Sequence, residues 1–140
     1  MTRIALFPGS FDPFTDGHEA IVRRALNVFD QVVVAIGINS DKQYLYSPYQ
    51  RKTIVQERFQ GETRVSVVTY SDMTIECCRR CNATALVRGV RNAQDLEYEM
   101  TVAAVNHKLA PEIETFLIPA LPEHKDISST LIREQLLHKK

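Results

Sequence analysis

At 140 residues, with 44% hydrophobic and 24% charged residues, the chain has the size and composition of one globular domain over residues 1–140, neither fibrous nor disordered. Lys and Arg together number 17, as do Asp and Glu, so no general attraction to nucleic acid or to an anionic membrane is expected and any anion site has to be local. The first apolar run, Ile4 to Phe7, is too short for a signal segment or a membrane span, and the clustered Cys77, Cys78 and Cys81 do not resemble a secreted disulfide framework. A reducing cytoplasm is the expected compartment.

Short β-branched or apolar runs occur at Ile4 to Phe7, Gln31 to Ile38, Val65 to Tyr70, Ala83 to Arg88 and Glu114 to Ile118, separated by longer segments of helical period. This alternation predicts an α/β fold: a Rossmann-like, parallel five-stranded sheet with helices on both faces. The runs are mostly too apolar to be half exposed, which suits strands covered on both sides. Ile21, Val22, Ala25, Leu26, Val28 and Phe29 form one helical stripe, and Leu96, Met100, Ala103, Ala104 and His107 form another; both are expected to face the sheet. Asp16 with Glu19, and Ser47 with Pro48 and Gln50, have the form of capping boxes, and Ser128 or Ser129 can cap a last helix. In such a sheet, ligands gather beyond the carboxyl ends of the strands, where the strand order reverses.

Immediately after the first run stands Pro8-Gly9-Ser10-Phe11-Asp12-Pro13-Phe14-Thr15-Asp16-Gly17-His18, followed by a helix. Small residues, a hydroxyl and a histidine where a strand hands over to a helix N-terminus outline a phosphate site. Free N–H groups and the positive end of the helix dipole attract an anion, and His18 in the first turn can donate to it. The plain alternative is a glycine turn with a capping Asp16 and a solvent-facing histidine.

The longer string Gly9-Ser10-Phe11-Asp12-Pro13 with Thr15-Asp16-Gly17-His18 resembles the signature of nucleotidyltransferases with a T/H-x-G-H motif. Lys42, Arg88-Gly89-Val90-Arg91, Asp95-Leu96-Glu97-Tyr98-Glu99-Met100 and Ile127-Ser128-Ser129-Thr130 follow in order, and this combination resembles the bacterial phosphopantetheine adenylyltransferase family. The resemblance implies direct transfer of an adenylyl group from ATP to 4'-phosphopantetheine, with Mg2+ as helper and no covalent intermediate. The products would be dephospho-coenzyme A and pyrophosphate, and a homohexamer is implied.

By the same resemblance His18 is the catalytic donor. Ser10, Phe11, His18, Gly89, Val90, Arg91, Glu99, His124, Lys125, Asp126, Ile127, Ser128, Ser129 and Thr130 are implied around ATP, and Ser10, Lys42, Thr74 and Arg88 around the acceptor. No metal-ligating residue is implied. Plain readings stand beside these: Lys42 as a solvated loop lysine, Arg88 and Arg91 as structural partners of Asp95 and Glu99, and Ser128 to Thr130 as N-caps alone. Ser10 stands where the family more often has Thr, and Thr74 where a larger apolar residue is common. Cys78-x-x-Cys81 has no second Cys or His pair at zinc-site spacing, so ordinary helix packing is expected for the cysteines. Tyr44, Tyr46 and Tyr49 suit loop packing or a substrate lid.

Overall fold

Alternation along the strands decides which side chains fill which face. The computed structural model of the chain describes residues 2–124 and 129–137. Its strands are β1 (Ile4–Gly9), β2 (Gln31–Gly37), β3 (Val65–Tyr70), β4 (Ala85–Val90) and β5 (Glu114–Pro119), all parallel in the order β3-β2-β1-β4-β5. Ala5 and Phe7, Val32, Val34 and Ile36, and Ala85 and Val87 point to one face, where Ile21, Val22, Ala25, Val55 and Phe59 close over them. Leu6, Val33, Ala35 and Leu86 point to the other, against Ile75, Cys77, Cys78, Ala110 and Ile113. The inner strand β2 is buried from Val32 to Ile36, as the unbroken apolar run predicts.

The helices are α1 (Asp16–Ala25), α2 (Pro48–Arg58), α3 (Thr74–Arg80), α4 (Ala93–Leu109) and α5 (Ser129–Leu137). Ser47 and Gln50 form the expected capping box of α2. At α1 the cap is Thr15, not Asp16: Thr15 Oγ1 accepts from the His18 N–H, and the His18 ring accepts from the Thr15 N–H. Asp16 lies one residue inside the helix and pairs with Arg58 at 2.6 Å. Helix α1 also stops at Ala25, so Val28 falls outside the stripe and is exposed.

Helix α4 departs from its expected face. Leu96 and Met100, expected on the sheet, are exposed, and the one buried residue of this helix is Glu99. The side turned inward carries Asp95, Glu99, Val102, Ala103 and Asn106 and is largely polar because it borders the clefts described below. The cysteines do pack as expected. Cys77 and Cys78 are buried, Cys81 is partly so, and all three are free thiols. Burial pushes the Cys78 thiol up to about 12 and raises Cys77 as well, keeping both protonated.

Candidate active site

The ladder between β1 and β4 joins Ala5 to Ala85 and Leu6 to Leu86. Beyond it, β1 runs on to Gly9 and β4 to Val90, and a cleft of about 370 Å³ opens at their carboxyl ends. This is where the strand order reverses, the crevice in which open parallel sheets hold ligands. Phe11 adopts φ 49°, which folds its ring back over Gly9. A Cβ at Gly9 would come within 2.8 Å of that ring, so glycine is required there by Phe11 itself.

His18 lines this cleft from the first turn of α1. Its Nδ1 accepts from the Thr15 N–H at 2.9 Å. A neutral ring that accepts at Nδ1 carries its proton on Nε2, so the capping box also fixes the tautomer. Phe7, Phe11 and Phe14 surround the ring, with centroids 6.2, 5.0 and 5.3 Å away. Burial, then the charges of Arg88, Arg91 and Arg58, lower its pKa from 6.5 to about 4. His18 is therefore a neutral hydrogen-bond donor at physiological pH, able to stabilise negative charge without itself titrating.

Two arginines from the end of β4 face the same cleft, each held by a carboxylate of α4. Arg88 Nε donates to Glu99 Oε2 at 2.7 Å and Oε1 at 3.0 Å, and its Nη1 donates to the Pro8 carbonyl. Arg91 Nε donates to Asp95 Oδ2 at 3.0 Å. Burial alone would raise the Asp95 pKa, but the bonds from Arg91 outweigh it and the carboxyl sits below its usual range. The plain reading of these arginines and the functional one thus describe the same geometry: the carboxylates aim cations that also line the cleft.

Ser10 joins three cavities. It lines the His18 cleft with Phe11, Gly89, Val90, Arg91, Glu99, His124, Ser129 and Thr130. A second cavity holds Lys42, Asn39, Tyr44 and Tyr70, and a third holds Thr74, Arg88, Tyr98 and Glu99. Lys42 is exposed and does not share a cavity with Arg88; the two meet through Ser10 and the Gly37 and Tyr70 wall. Thr74 Oγ1 lies 3.0 Å from the Tyr70 hydroxyl, so the small side chain here is answered by a polar pair. His124 Nδ1 is buried without a hydrogen-bond partner among the described residues. Ser129 Oγ donates to the Pro13 carbonyl at 2.8 Å, tying α5 to the loop after β1. Lys125, Asp126, Ile127 and Ser128 lie outside the described residues.

Four residues at or beside the site have no role of their own in the sequence reading, although Asp12 and Thr15 belong to its motif strings. Thr15 could have been found, because Thr-x-x-His follows the spacing of a capping box with histidine in place of Glu or Gln. Arg133 bridges the Asp12 carbonyl and Thr130 Oγ1, at 2.9 and 3.2 Å, and looks from sequence like any helix arginine. Asp12 lies inside the Gly9 to Pro13 string but has no role assigned to it there, and Arg51 looks from sequence like any residue of α2; both are buried polar residues.

Residues 6–135 match the cytidylyltransferase-like family model. The chain is 40% identical over 138 residues to the phosphopantetheine adenylyltransferase of Leptospira biflexa, covering 99% of this chain and 86% of that one. It is 46% identical over 134 residues to that of Phocaeicola vulgatus, covering 96% and 88%. The fold is also that of a bifunctional NMN adenylyltransferase/ADP ribose pyrophosphatase from Francisella tularensis, with TM-score 0.72 at 17% identity over all of this chain and 43% of that one. The chain belongs to the cytidylyltransferase-like nucleotidyltransferases and, within them, to the phosphopantetheine adenylyltransferase family.

Proposed function

We propose that the protein, acting as one domain over residues 1–140, transfers the adenylyl group of ATP to 4'-phosphopantetheine, a step in forming coenzyme A. The observation that carries this reading is a neutral His18 Nε2–H donor and two carboxylate-held arginines at the β1/β4 switch point of a member of this family. A phosphate oxygen of the acceptor attacks the α-phosphorus, the bond to the bridging oxygen breaks, and pyrophosphate leaves with the electron pair. No protein nucleophile is required, because positioning and charge stabilisation supply most of the catalysis in such transfers.

His18 Nε2–H donates to an α-phosphate oxygen as charge develops, and Ser10 and Phe11 supply a hydroxyl and backbone N–H groups near both phosphates. Lys42 and Arg88 hold the acceptor phosphate, with Thr74 beside its arm. Gly89, Val90, Arg91, Glu99, His124 and the stretch from Lys125 through Asp126, Ile127, Ser128, Ser129 and Thr130 serve the nucleotide. The cleft suits Mg2+ brought in on ATP: of its carboxylates, Asp95 and Glu99 already accept from arginines and Asp12 from the Leu45 and Tyr46 N–H groups, so phosphate oxygens and water would be the ligands on offer. Bound there, Mg2+ would supply positive charge against which pyrophosphate can leave.

Incubation with ATP, 4'-phosphopantetheine and Mg2+, followed by mass analysis, is expected to give dephospho-coenzyme A and pyrophosphate in equal amounts. Omission of Mg2+ should abolish the yield, and a persistent adenylylated protein would count against direct transfer. A homohexamer is the proposed assembly. Leu96, Tyr98, Met100, Val105 and Leu109 expose apolar surface along α4, which supports burial against other subunits. Sedimentation velocity should read six protomers; a monomer at micromolar concentration would contradict it. No described helix is long and apolar enough to cross a membrane. A cytoplasmic location without a nucleic-acid partner agrees with the balanced charge.

A further inference from the structure

Arg51 is fully buried, 0% exposed, in the second turn of α2, and no carboxylate lies within salt-bridge distance of it among the described residues. Its guanidinium is spent on backbone carbonyls. Nη1 donates to the Ser10 carbonyl at 2.9 Å and the Gly37 carbonyl at 3.1 Å, and Nε donates to the Tyr46 carbonyl at 3.2 Å. Nη2 has no partner. The Tyr44 ring covers the group, with its centroid 4.0 Å from Cζ. One cation thereby joins the end of β1, the end of β2 and the loop between β2 and α2.

Asp12, 1% exposed, grips that loop from the opposite side. Its carboxylate accepts from the Leu45 N–H at 2.6 Å and the Tyr46 N–H at 2.8 Å. The peptide groups of Tyr46 are therefore held at the N–H by Asp12 and at the C=O by Arg51. The loop so fixed carries Lys42, and its Tyr44 lines the Lys42 cavity while the Tyr44 hydroxyl accepts from the Asn39 N–H at 2.9 Å. A hydrophobic pair could have closed the gap under this loop at lower desolvation cost. Buried ions that instead bind backbone at three strand and loop ends fix a geometry.

We propose that Arg51 and Asp12 are positioning residues, a buried latch that sets the Lys42 loop at a defined distance from Ser10 and so prepares the acceptor-phosphate site. This rests on the reading of Lys42 as an acceptor anchor. Arg51 lines none of the three cavities, and Asp12 borders the His18 cleft with its carboxylate committed to the Leu45 and Tyr46 N–H groups. Their loss should therefore affect acceptor use more than nucleotide binding.

The test compares Arg51→Met, Arg51→Lys and Tyr44→Leu with the unchanged protein, each alone and combined with Lys42→Ala. Arg51→Met should raise KM for 4'-phosphopantetheine about tenfold or more while ATP affinity stays within about twofold, and Arg51→Lys should recover part of the loss. Lys42→Ala, worth about tenfold or more in the unchanged protein, should cost only about twofold in the Arg51→Met background, because an unlatched lysine has little left to lose. Amides of Leu45 and Tyr46 should exchange faster. An undiminished Lys42→Ala effect in that background, or equal losses for acceptor and ATP, would overturn the latch. If Arg51→Met does not fold, Tyr44→Leu decides by the same criteria, with a smaller KM change of about threefold expected. If the unchanged protein does not use this acceptor at all, the substrate reading fails separately. The latch then stands or falls on exchange at Leu45 and Tyr46 and on inorganic-phosphate binding in the same variants.

Discussion

Replacing His18 with Ala is expected to lower kcat about a hundredfold or more, the loss typical of a preorganised donor to developing charge. The ring is confined by Phe7, Phe11 and Phe14 and its Nδ1 is committed to the Thr15 N–H, so Nε2–H is aimed before substrate arrives. Single-turnover rates with saturating substrates measure the effect without contribution from product release. Near-normal rates in a folded variant would remove His18 from the chemistry. The depressed pKa adds a condition. With a folded value of about 4 against an ordinary 6.5, His18 stays a neutral donor throughout neutral and mildly acid pH, so it should impose no inflection on kcat between pH 6 and 8. Its effect on stability has the matching sign. The unfolded chain takes up the proton first, so stability is undiminished above pH 6.5, declines as pH falls from 6.5 towards about 4, and declines no further on this account below that. Denaturant titrations at pH 7 and pH 5 should show this decline in the unchanged protein and a smaller one after His18→Gln, since Gln preserves the capping box without a titrating ring.

The second large effect is a split between substrates. Lys42→Ala and Arg88→Ala should each cut acceptor kcat/KM by one to two powers of ten, corresponding to roughly 1.5 to 3 kcal/mol for a lost charge-assisted hydrogen bond. ATP affinity should change little. Arg91→Ala should do the reverse, weakening ATP and sparing the acceptor. Arg88→Ala carries an additional expectation, because Glu99 is 4% exposed and would lose the guanidinium that compensates its charge. That variant should therefore also unfold more readily than Lys42→Ala, whose side chain is exposed. Calorimetric titration of each variant with ATP and with acceptor reads the split directly. If all three weakened ATP alike and spared the acceptor, the assignment of two anion sites would be wrong.

Much of this was legible in the sequence because the inner strands β1, β2 and β4 are covered on both faces, although the edge strands β3 and β5, expected to be covered alike, have no fully buried residue. An unbroken run such as Val32 to Ile36 has few other places to go, and alternation with helical segments then dictates parallel neighbours. The loop after β1 was legible for a related reason: Gly9, Ser10 and His18 sit where a strand meets a helix N-terminus, and backbone chemistry alone favours an anion there. The helix faces were harder to read. Leu96 and Met100 form a sound apolar stripe, yet α4 turns its polar side inward because that side borders the clefts and must hold Arg88 and Arg91. Periodicity reports that a face is apolar and does not say what covers it.

Long-range polar partnerships were not legible either. Arg51 stands 41 residues from Ser10, and Asp12 stands 33 and 34 residues from Leu45 and Tyr46. Their roles arise only when the ends of β1 and β2 are brought side by side. His18 is an intermediate case. Its place at a helix start was readable, but its tautomer and lowered pKa depend on Thr15 as cap and on three phenylalanines, of which Phe7 comes from the strand.

The central claim, an adenylyl transfer specific to one phosphorylated acceptor, is tested most directly by initial rates of pyrophosphate release. ATP and CTP would each be paired with 4'-phosphopantetheine, nicotinamide mononucleotide and glycerol 3-phosphate in the presence of Mg2+. The account predicts that ATP with 4'-phosphopantetheine gives a kcat/KM above every other pair by at least about a hundredfold, as expected where two cations and a shaped arm site recognise the acceptor. Faster release from CTP with glycerol phosphate, or from ATP with nicotinamide mononucleotide, would contradict it.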